Sequence, residues 1–318
     1  MSEPSASTAQ FPAEQSRSGD FVRQESAFRH RVVRGDPRFP VETGRYHLYV
    51  SLACPWAHRT VIARRLLGLE DAIGVTVVDP LRDERGWAFR EGRGHSEDDL
   101  NGFRFLSEAY RATDPDFESR VTVPVLWDRQ SSEIVNNESS EILRMLSQEF
   151  TELARTPLDL YPQAHRAEID EVNEVVYGTV NNGVYRAGFA TSQAAYDRAV
   201  RALFHTLDRL DARLAERRYL VGPTLTEADI RLYTTLVRFD HVYHGHFKCN
   251  LRRIVDLPNL SGYLRDLFQT KGFGDTTDFD HIVRHYYLTH ERLNPSGIVP
   301  IGPQLDLTAP HGREALGG

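Results

Sequence analysis

One of the two cysteines in the 318-residue chain, Cys54, stands directly before a proline in the stretch SLACPWAHRT. The apolar period that follows Pro55 predicts a helix that begins at this point. Unpaired N–H groups and the positive dipole at a helix N-terminus stabilise a thiolate. The motif C-P-W-A lacks the second cysteine of a C-x-x-C pair, so a disulfide formed at Cys54 must be resolved by an external thiol. The pattern therefore predicts a nucleophile, the alternative being a small buried side chain.

A second motif, Thr122-Val123-Pro124, begins a predicted strand, where proline is tolerated although it lacks an N–H. We expect a cis peptide bond before Pro124, and backbone groups at Val123 that can pair with an extended peptide. Glu138 and Ser139 then open a predicted helix, whose N–H groups favour a carboxylate and whose side chains can hold an ammonium. A ligand with a peptide backbone, an α-carboxylate and an α-ammonium fits these groups, and glutathione is such a ligand.

The elements that must position these motifs follow the order β-α-β, long loop, β-β-α, which is the thioredoxin-like pattern. Alternating and β-rich runs predict strands at 45–52, 74–79 and 121–128, and a further strand and a helix within 131–150. Residues 80–120 are polar and contain glycines, which is typical of a functional loop or an insertion with its own short helix. Trp87 lies in this loop, either packed onto the domain or offered to a ligand.

From residue 160 the pattern changes to helical periodicity, which predicts an all-helical second domain. The predicted helices cover 162–182, 192–216, 226–244, 258–270 and 278–290. Thr226 and Asp229 have the spacing of a capping box, and the mostly apolar run after them predicts a helix buried at the centre of a bundle. We expect an N-terminal tail and extension over residues 1–44, with 1–20 mobile, a glutathione-binding domain over 45–155, a helical domain over 160–305 and a C-terminal tail over 306–318.

The composition limits the partners. Lysine and arginine number 38 against 45 aspartates and glutamates, which gives a net charge of −7 and argues against a nucleic acid or an anionic membrane as partner. No apolar run approaches the roughly 20 residues of a membrane span, and residues 1–20 lack the apolar core of a signal peptide. Two cysteines cannot form a disulfide framework, which is typical of a reducing compartment. We therefore expect a cytoplasmic protein that acts on a small molecule.

Long strings in both halves closely resemble the glutathionyl-hydroquinone reductases, the Xi class of glutathione transferases. They are ACPWAHR, RGWAF, RVTVPVLWD, EIVNNESSEI, GVYRAGFATSQAAY, LTEADIRLYTTLVRFDHVYHGHFKCN and HIVRHYYLTHERLNPSGIVPIGP. The resemblance implies an α/β plus all-α architecture, with an N-terminal thioredoxin-like domain followed by an all-helical domain of the glutathione-transferase type. It also implies a homodimer without a metal, which converts a glutathionyl-hydroquinone and glutathione into hydroquinone and glutathione disulfide.

The resemblance assigns a role to each candidate site residue. Cys54 is the nucleophile, which forms a mixed disulfide with glutathione that a second glutathione resolves. Glutathione binding is assigned to Trp87, Arg120, Val121, Thr122, Val123, Glu138 and Ser139. Tyr185 is the proton donor and acceptor, because the ring carbon can be expelled only after the hydroquinone has tautomerised to a ketone. Tyr243 and Tyr286 donate hydroxyl hydrogens to the cysteine sulfur and so favour its charged form; by residue type alone, all three tyrosines indicate packing.

Other interpretations stay open at this point. Omega-like glutathione transferases share the Cys-Pro motif and act as thiol transferases or dehydroascorbate reductases, although the three tyrosines and the 80–120 loop favour the hydroquinone reductase. A non-catalytic interaction module on the same fold is a third interpretation. His58, four residues after Cys54, raises the possibility of a Cys-His dyad.

A cluster of metal-ligating residue types occurs in the second half, in the stretch HVYHGHFKC. It contains His241, His244, His246 and Cys249. Gly245 interrupts the predicted helix, so these side chains do not converge from one helix face as metal ligands must. We expect no metal here and a structural role for Cys249.

Overall fold

The computed structural model, which describes residues 14–316, begins with a mixed four-stranded sheet flanked by helices. The strands are β1 (Tyr46–Val50), β2 (Ile73–Val77), β3 (Val125–Asp128) and β4 (Glu133–Asn136), and the helices are α1 (Pro55–Leu66), α2 (Leu106–Thr113) and α3 (Ser139–Gln148). α1 packs against α3, and α2 contacts β4. The sheet order β2-β1-β3-β4 and the order of the elements along the chain confirm the thioredoxin-like prediction.

β1 is the central strand and leads into the cysteine loop. Its five residues are all buried, as expected of a strand with neighbours on both sides. β2 runs parallel to β1 after the crossover through α1, whereas β3 runs antiparallel with Tyr49 opposite Val125. The carboxyl end of β1 and the amino end of β3 therefore meet at the same edge of the sheet, which brings Cys54 next to Val123.

The strand predicted over 121–128 is shorter in the structure, where β3 starts at Val125. The peptide bond between Val123 and Pro124 is cis, as predicted. Pro124 has no N–H to contribute to a strand ladder, so pairing begins only after it. Residues 121–123 therefore stay outside the sheet with backbone groups that other partners can use.

The 80–120 loop is organised around the buried carboxylate of Asp98. This carboxylate accepts hydrogen bonds from the Tyr49 hydroxyl of β1 at 3.1 Å and from the backbone N–H groups of Leu100 and Phe103 at 3.2 Å. α2 lies within the same stretch, which confirms the predicted short helix. The hydrogen bond to β1 attaches the loop to the central strand, so the loop is a fixed part of the domain.

The second half of the described chain is helical, as predicted. Its helices are α4 (Arg166–Val176), α5 (Gly183–Gly188), α6 (Gln193–Leu214), α7 (Glu227–Arg238), α8 (Pro258–Gln269) and α9 (Phe279–Thr289). Two π-helical turns, Tyr177–Asn181 and Phe239–Tyr243, end α4 and α7 where continuous helices were predicted over 162–182 and 226–244. Such turns shift the face that a helix presents, and π turns are frequent at functional sites.

α7 is the central helix of this half, and all of its residues are buried. The predicted capping box is present, since the Asp229 carboxylate accepts the Thr226 N–H at 2.9 Å. The same carboxylate accepts the Tyr263 hydroxyl of α8 at 2.7 Å and the Leu220 N–H at 2.9 Å. α7 also packs on α1 of the first half. The cap therefore fixes a helix that holds both halves together.

Residues 14–20 pack against the helical half. Glu14 is only 5 % exposed, and Gln15 donates from Nε2 to the carbonyl oxygen of Phe189 at 3.0 Å. The prediction of a mobile tail is wrong for this stretch, and residues 1–13 lie outside the described residues.

The predicted domain boundaries stay predictions. In the described part of the chain, no helix has the length and apolarity that a membrane crossing requires.

Candidate active site

Cys54 caps the N-terminus of α1 in an extended conformation, and Pro55 is the first helical residue. The Cys54 sulfur is partly accessible and lies 3.7 Å from the carbonyl oxygen of Val123. The first turn of α1 contains no acidic residue, so nothing there opposes a negative charge on sulfur. The structure thus has the cysteine at a helix N-terminus beside Val123, as the sequence predicts.

The backbone next to Val123 is fixed by Tyr110 of α2. The Tyr110 hydroxyl donates to the carbonyl oxygen of Thr122 at 2.8 Å and accepts the Thr122 N–H at 3.1 Å. Asn137 donates to the same hydroxyl at 3.0 Å. Within the described chain the Val123 N–H has no hydrogen-bond partner, and its carbonyl contacts the Cys54 sulfur. Both groups of Val123 are therefore available to an extended peptide ligand.

Glu138 and Ser139 lie at the start of α3. The Glu138 carboxylate accepts the Ser140 N–H at 3.1 Å and the Ser26 hydroxyl at 3.0 Å. Burial raises the pKa of Glu138, but the hydrogen bonds from Ser140 and Ser26 outweigh it and hold this pKa below its usual range. A carboxylate that stays charged can bind an ammonium, and the N–H of Ser139 belongs to the helix N-terminus, which favours a carboxylate.

Most of the predicted site residues line one cavity of about 180 Å³ between the two halves. They are Cys54, Trp87, Arg120, Val121, Thr122, Val123, Tyr185 and Tyr286. Glu138 and Ser139 line a smaller neighbouring cavity that shares Val123 and Trp56 with the first. Tyr243 is fully buried behind the cavity wall. The two cavities together can hold an elongated ligand, and Cys54 lines the larger of them.

Trp87 is 4 % exposed and forms part of the wall of the larger cavity. Its ring stacks on His285 of α9 with 4.9 Å between ring centroids. The Nδ1–H of His285 donates to the carbonyl oxygen of Pro80 at 2.7 Å, so its Nε2 can only accept. Burial, reinforced by the charge of Arg82, lowers the pKa of His285 to about 3. Trp87 is thus packed on α9 and also forms part of the cavity wall, with a neutral hydrogen-bond acceptor beside it.

The three predicted tyrosines form a continuous chain of hydroxyl groups. The hydroxyl oxygens of Tyr185 and Tyr286 are 2.5 Å apart, and those of Tyr286 and Tyr243 are 2.9 Å apart. Burial raises the pKa of Tyr185, and a negative charge on Cys54 raises it further. Burial also raises the pKa of Tyr243 and Tyr286 far above the usual range. These hydrogen bonds run between tyrosines, and donation to the Cys54 sulfur stays a prediction.

His58 lies on α1, four residues after the cysteine. Both of its ring nitrogens have hydrogen-bond partners other than Cys54. Its Nδ1 accepts from the Arg238 guanidinium at 3.1 Å, and its Nε2 donates to the Thr276 hydroxyl at 2.9 Å. Burial and then the charge of Arg238 lower the pKa of His58 well below its usual range. A neutral imidazole with both nitrogens occupied cannot take a proton from Cys54. The dyad left open by the sequence is therefore not formed in this structure.

The residues of the HVYHGHFKC stretch point in separate directions. His241 stacks on Phe279, with 4.4 Å between ring centroids, whereas His246 is within hydrogen-bond distance of His290 at 3.1 Å. Cys249 is fully buried, and burial raises the pKa of its thiol. Among residues 14–316, no three histidine, cysteine or acidic side chains converge as a metal site requires.

Comparison with known proteins follows the division of the fold. Residues 53–149 match the model of the glutathione S-transferase N-terminal domain, and residues 193–266 match that of the C-terminal domain. The chain is 52% identical over 311 residues to glutathionyl-hydroquinone reductase YqjG of Escherichia coli, with 95% of each chain covered. The chain belongs to the Xi-class glutathione transferases, the glutathionyl-hydroquinone reductase family. It is 51% identical to another member, PcpF of Sphingobium chlorophenolicum, over 91% of each chain.

A solved structure of this family shows the same architecture. The glutathione-bound structure of YqjG from Escherichia coli K-12 matches with a TM-score of 0.88 and 52% identity, over 91% of this chain and 96% of that one. The members named above are enzymes, and so is this chain. That relative is bound to glutathione, and in this chain two cavities share Val123, whose backbone groups can pair with a peptide.

Sequence reasoning missed several residues of the larger cavity. The Glu14 carboxylate forms an ion pair with Arg120, and the Arg23 guanidinium lies 4.3 Å from the ring centroid of Trp56. Burial, with a further contribution from the charge of Arg120, lowers the pKa of Arg82 to about 9. These side chains come from separate segments with no local motif. Arg23 and Arg82, with the predicted Arg120, bring positive charge to the cavity, which suits an anionic ligand such as glutathione, whereas Glu14 neutralises part of the charge of Arg120.

Proposed function

We propose that the protein reduces glutathionyl-hydroquinones to hydroquinones with glutathione as the reductant. The observation that carries this proposal is that Tyr185, at the end of a chain of tyrosine hydroxyls, lines the same cavity as the Cys54 sulfur. Reduction of a disulfide needs a thiolate alone, whereas cleavage of a sulfur–ring bond also needs a proton donor next to the ring. The cavity supplies both groups.

The glutathionyl part of the substrate is proposed to lie along Val123, with its cysteinyl N–H and C=O paired to the free backbone groups of that residue. Its γ-glutamyl end then reaches the start of α3, where Ser139 receives the carboxylate and Glu138 the ammonium. The remaining assigned glutathione contacts are Trp87, Arg120, Val121 and Thr122. This placement is supported by the two cavities, which meet at Val123.

The reaction begins with conversion of the hydroquinone to its keto tautomer. The hydroxyl next to the sulfur-bearing carbon loses its proton, and Tyr185 donates a proton to that carbon. The Cys54 thiolate then attacks the glutathionyl sulfur, and the electron pair of the broken carbon–sulfur bond moves into the ring, which becomes aromatic again as its oxygen regains a proton. The ring is reduced by two electrons, and Cys54 is left as a mixed disulfide with glutathione.

A second glutathione completes the cycle. Its thiolate attacks the glutathionyl sulfur of the mixed disulfide, which releases glutathione disulfide and the Cys54 thiolate. Cys249 cannot take part because it is sealed in the core. Tyr286 and Tyr243, which continue the hydroxyl chain behind Tyr185, are proposed to stabilise the charged sulfur. The homodimer expected from the family and the cytoplasmic location stay predictions.

The test supplies 2-glutathionyl-1,4-hydroquinone and glutathione to the wild type, Cys54→Ser and Cys249→Ser, and follows hydroquinone and glutathione disulfide by chromatography. We expect equal amounts of both products from the wild type and from Cys249→Ser, and none from Cys54→Ser. Without added glutathione, the wild type should release one equivalent of hydroquinone and carry a glutathione adduct on Cys54, visible by mass spectrometry. Undiminished turnover by Cys54→Ser contradicts the nucleophile, and a wild type that reduces mixed disulfides alone indicates a thiol transferase.

A further inference from the structure

His290, at the end of α9, lines the cavity and pairs with His246, and the reaction described above does not use this pair. The Nδ1 of His290 lies 3.1 Å from the Nε2 of His246, which follows the π-helical turn after α7. The His290 ring packs edge-to-face on Phe189, with 5.2 Å between ring centroids, and on Tyr286, with 5.5 Å. His290, Phe189 and Tyr286 all line the cavity that contains Cys54. The pair therefore reaches the part of the cavity whose walls are aromatic.

Both histidines are uncharged in the resting protein. Burial lowers the pKa of His246 to about 4 and that of His290 well below its usual range. Two neutral imidazoles that share one hydrogen bond have two tautomeric arrangements. If His290 donates from Nδ1, its Nε2 accepts; if His246 donates from Nε2, the Nε2 of His290 carries a hydrogen and donates.

The two outer nitrogens of the pair are open. Within the described chain, the Nε2 of His290 and the Nδ1 of His246 have no hydrogen-bond partner. Neither nitrogen is fully buried, because neither belongs to the fully buried polar atoms without a partner. His285, the neighbouring histidine on α9, differs in this respect. The carbonyl oxygen of Pro80 fixes its tautomer. His285 and His290 both line the cavity, and His290 is the one whose Nε2 can change between acceptor and donor.

The ring oxygen of the substrate needs a partner that can change from hydrogen-bond acceptor to hydrogen-bond donor. Protonation of the sulfur-bearing carbon can be balanced only by the hydroxyl in conjugation with it, which in a 2-substituted 1,4-hydroquinone is the adjacent hydroxyl. That oxygen is a hydrogen-bond donor in the hydroquinone and an acceptor in the keto tautomer, and it becomes a donor again in the product. A fixed donor or a fixed acceptor would match one of these states and oppose the other.

We propose that His290 and His246 form a proton relay for this hydroxyl, an inference that rests on the proposed function. The hydroxyl proton passes to the Nε2 of His290 as the Nδ1 proton of His290 passes to the Nε2 of His246, and the excess proton leaves from the Nδ1 of His246. Tyr185 protonates the ring carbon in the same step and regains a proton from solvent before the next turnover, which is the one net proton that the reduction consumes. After Cys54 has taken the glutathionyl group, the ring oxygen recovers its proton along the reverse path. No electrons move through the pair.

The relay predicts a selective defect in two variants. His290→Phe removes the contact with the ring oxygen, and His246→Phe leaves that contact but removes the next proton acceptor. In both, kcat for 2-glutathionyl-1,4-hydroquinone should fall about 100-fold, the ordinary contribution of a general acid–base group. Reduction of the mixed disulfide of glutathione and 2-mercaptoethanol, which needs no ketone, should stay within about 2-fold of the wild type, since acid–base help is not required for that step.

The matched control is His241→Phe, because His241 is also an aromatic-stacked histidine of the helical half but lies outside the cavity. Both activities of this variant should equal those of the wild type. His290→Gln keeps a hydrogen-bonding side chain without a relay, so it separates loss of packing from loss of proton transfer and should be as slow on the thioether as His290→Phe.

Two results overturn the relay. One is an unchanged thioether rate in His290→Phe or in His246→Phe, and the other is an equal loss of both activities in folded variants. A wild type that reduces the mixed disulfide but releases no hydroquinone is a different result, since it contradicts the proposed function itself.

Discussion

The guanidinium of Arg238, at the end of α7, donates from Nε to the carbonyl oxygen of Ala53 at 2.9 Å. Ala53 is the residue directly before Cys54. Its other nitrogens donate to the carbonyl oxygens of Leu52 at 2.9 Å and Thr234 at 2.8 Å, and to His58. Arg238 has no exposed surface. The helical half of the molecule therefore holds the loop from which the nucleophile projects, although that loop belongs to the sheet domain.

Substitution of Arg238 should loosen this loop. Arg238→Met leaves the carbonyl groups of Ala53 and Leu52 and one ring nitrogen of His58 without their donor, and each such group costs about 1–3 kcal/mol when it is buried. We expect the free energy of unfolding to fall by at least about 3 kcal/mol, as measured by urea denaturation. Both the thioether and the disulfide activities should fall together, because both depend on where Cys54 lies.

The matched control is Arg252→Met. Arg252 pairs with Asp208 on the surface, with 40% and 51% of the two side chains exposed. Exposed pairs of this kind contribute about 0–1 kcal/mol, so the variant should unfold close to the wild type. Equal stability of Arg238→Met and Arg252→Met would show that Arg238 does not hold the loop.

Tyr185→Phe separates the two chemical steps that meet in the cavity. The substitution removes the proposed proton donor but keeps the ring that packs on Phe247, with 5.5 Å between centroids. Turnover of 2-glutathionyl-1,4-hydroquinone should fall by about 100-fold or more, since general acid catalysis contributes about 10²–10⁴-fold. Reduction of a glutathione mixed disulfide should change little, which steady-state kinetics on both substrates will measure.

The control for this prediction is Tyr196→Phe. The Tyr196 hydroxyl donates to the carbonyl oxygen of Lys248 at 2.7 Å, outside the cavity. Its loss should leave both rates near those of the wild type. If Tyr185→Phe lowered both rates by the same factor, Tyr185 would be a packing residue, as its residue type alone indicates.

The parts of the site that the sequence predicts are those determined by local rules. Pro55 after Cys54 marks a helix start, Pro124 marks a strand start, and the three-residue spacing of Thr226 and Asp229 marks a cap. Each rule acts within a few residues, so a single sequence contains the whole signal. The structure confirms the helix, the cis bond and the cap at these positions.

The remaining contacts join residues that are far apart in the chain. Arg238 and Ala53 are separated by 185 positions, and Tyr185 and Tyr286 by 101. No periodicity connects such pairs. The roles of the tyrosines were predicted from the family resemblance, whereas the contacts of Arg238 and of the His246–His290 pair were not predicted. The packing of residues 14–20 was missed for a related reason, since their polar composition does not show that Glu14 has a partly buried arginine as partner.

Gly188 is predicted to be indispensable for the shape of the cavity. A Cβ at this position would lie 2.3 Å from the ring of Phe247, which is almost fully buried and stacks on Tyr243. Gly188→Ala must displace that ring, and overpacking of this kind costs about 1–3 kcal/mol. We expect a lower thermal midpoint and a reduced rate on the hydroquinone thioether, because Phe247 also packs on Tyr185.

Gly178→Ala is the corresponding control, because a Cβ at this glycine has space. Nothing lies within 4 Å of a Cβ at Gly178, and the residue is in the π-helical turn after α4. Its stability should differ from that of the wild type by less than about 1 kcal/mol. A Gly188→Ala variant as stable and as active as Gly178→Ala would mean that Phe247 can move without consequence.

Acidification should unfold the protein through its buried histidines. Burial lowers the pKa of His47, His241 and His246 to about 4 and that of His285 to about 3, whereas an unfolded histidine has a pKa of about 6.5. Between these values the unfolded chain binds protons that the folded chain does not bind. The free energy of unfolding therefore stays constant with respect to these groups above pH ~6.5 and falls as the pH drops towards ~4.

His241→Phe tests the size of this effect because it removes one such histidine and keeps the stacking on Phe279. The free energy of unfolding is measured by urea denaturation between pH 7.5 and pH 4.5, at steps of about one unit. Its slope against pH should be smaller in the variant than in the wild type by up to about 1.4 kcal/mol per pH unit. The denaturant m-value should stay the same, since the surface exposed on unfolding is unchanged. Identical slopes in the two proteins would show that His241 is protonated to the same extent in the folded and unfolded chains.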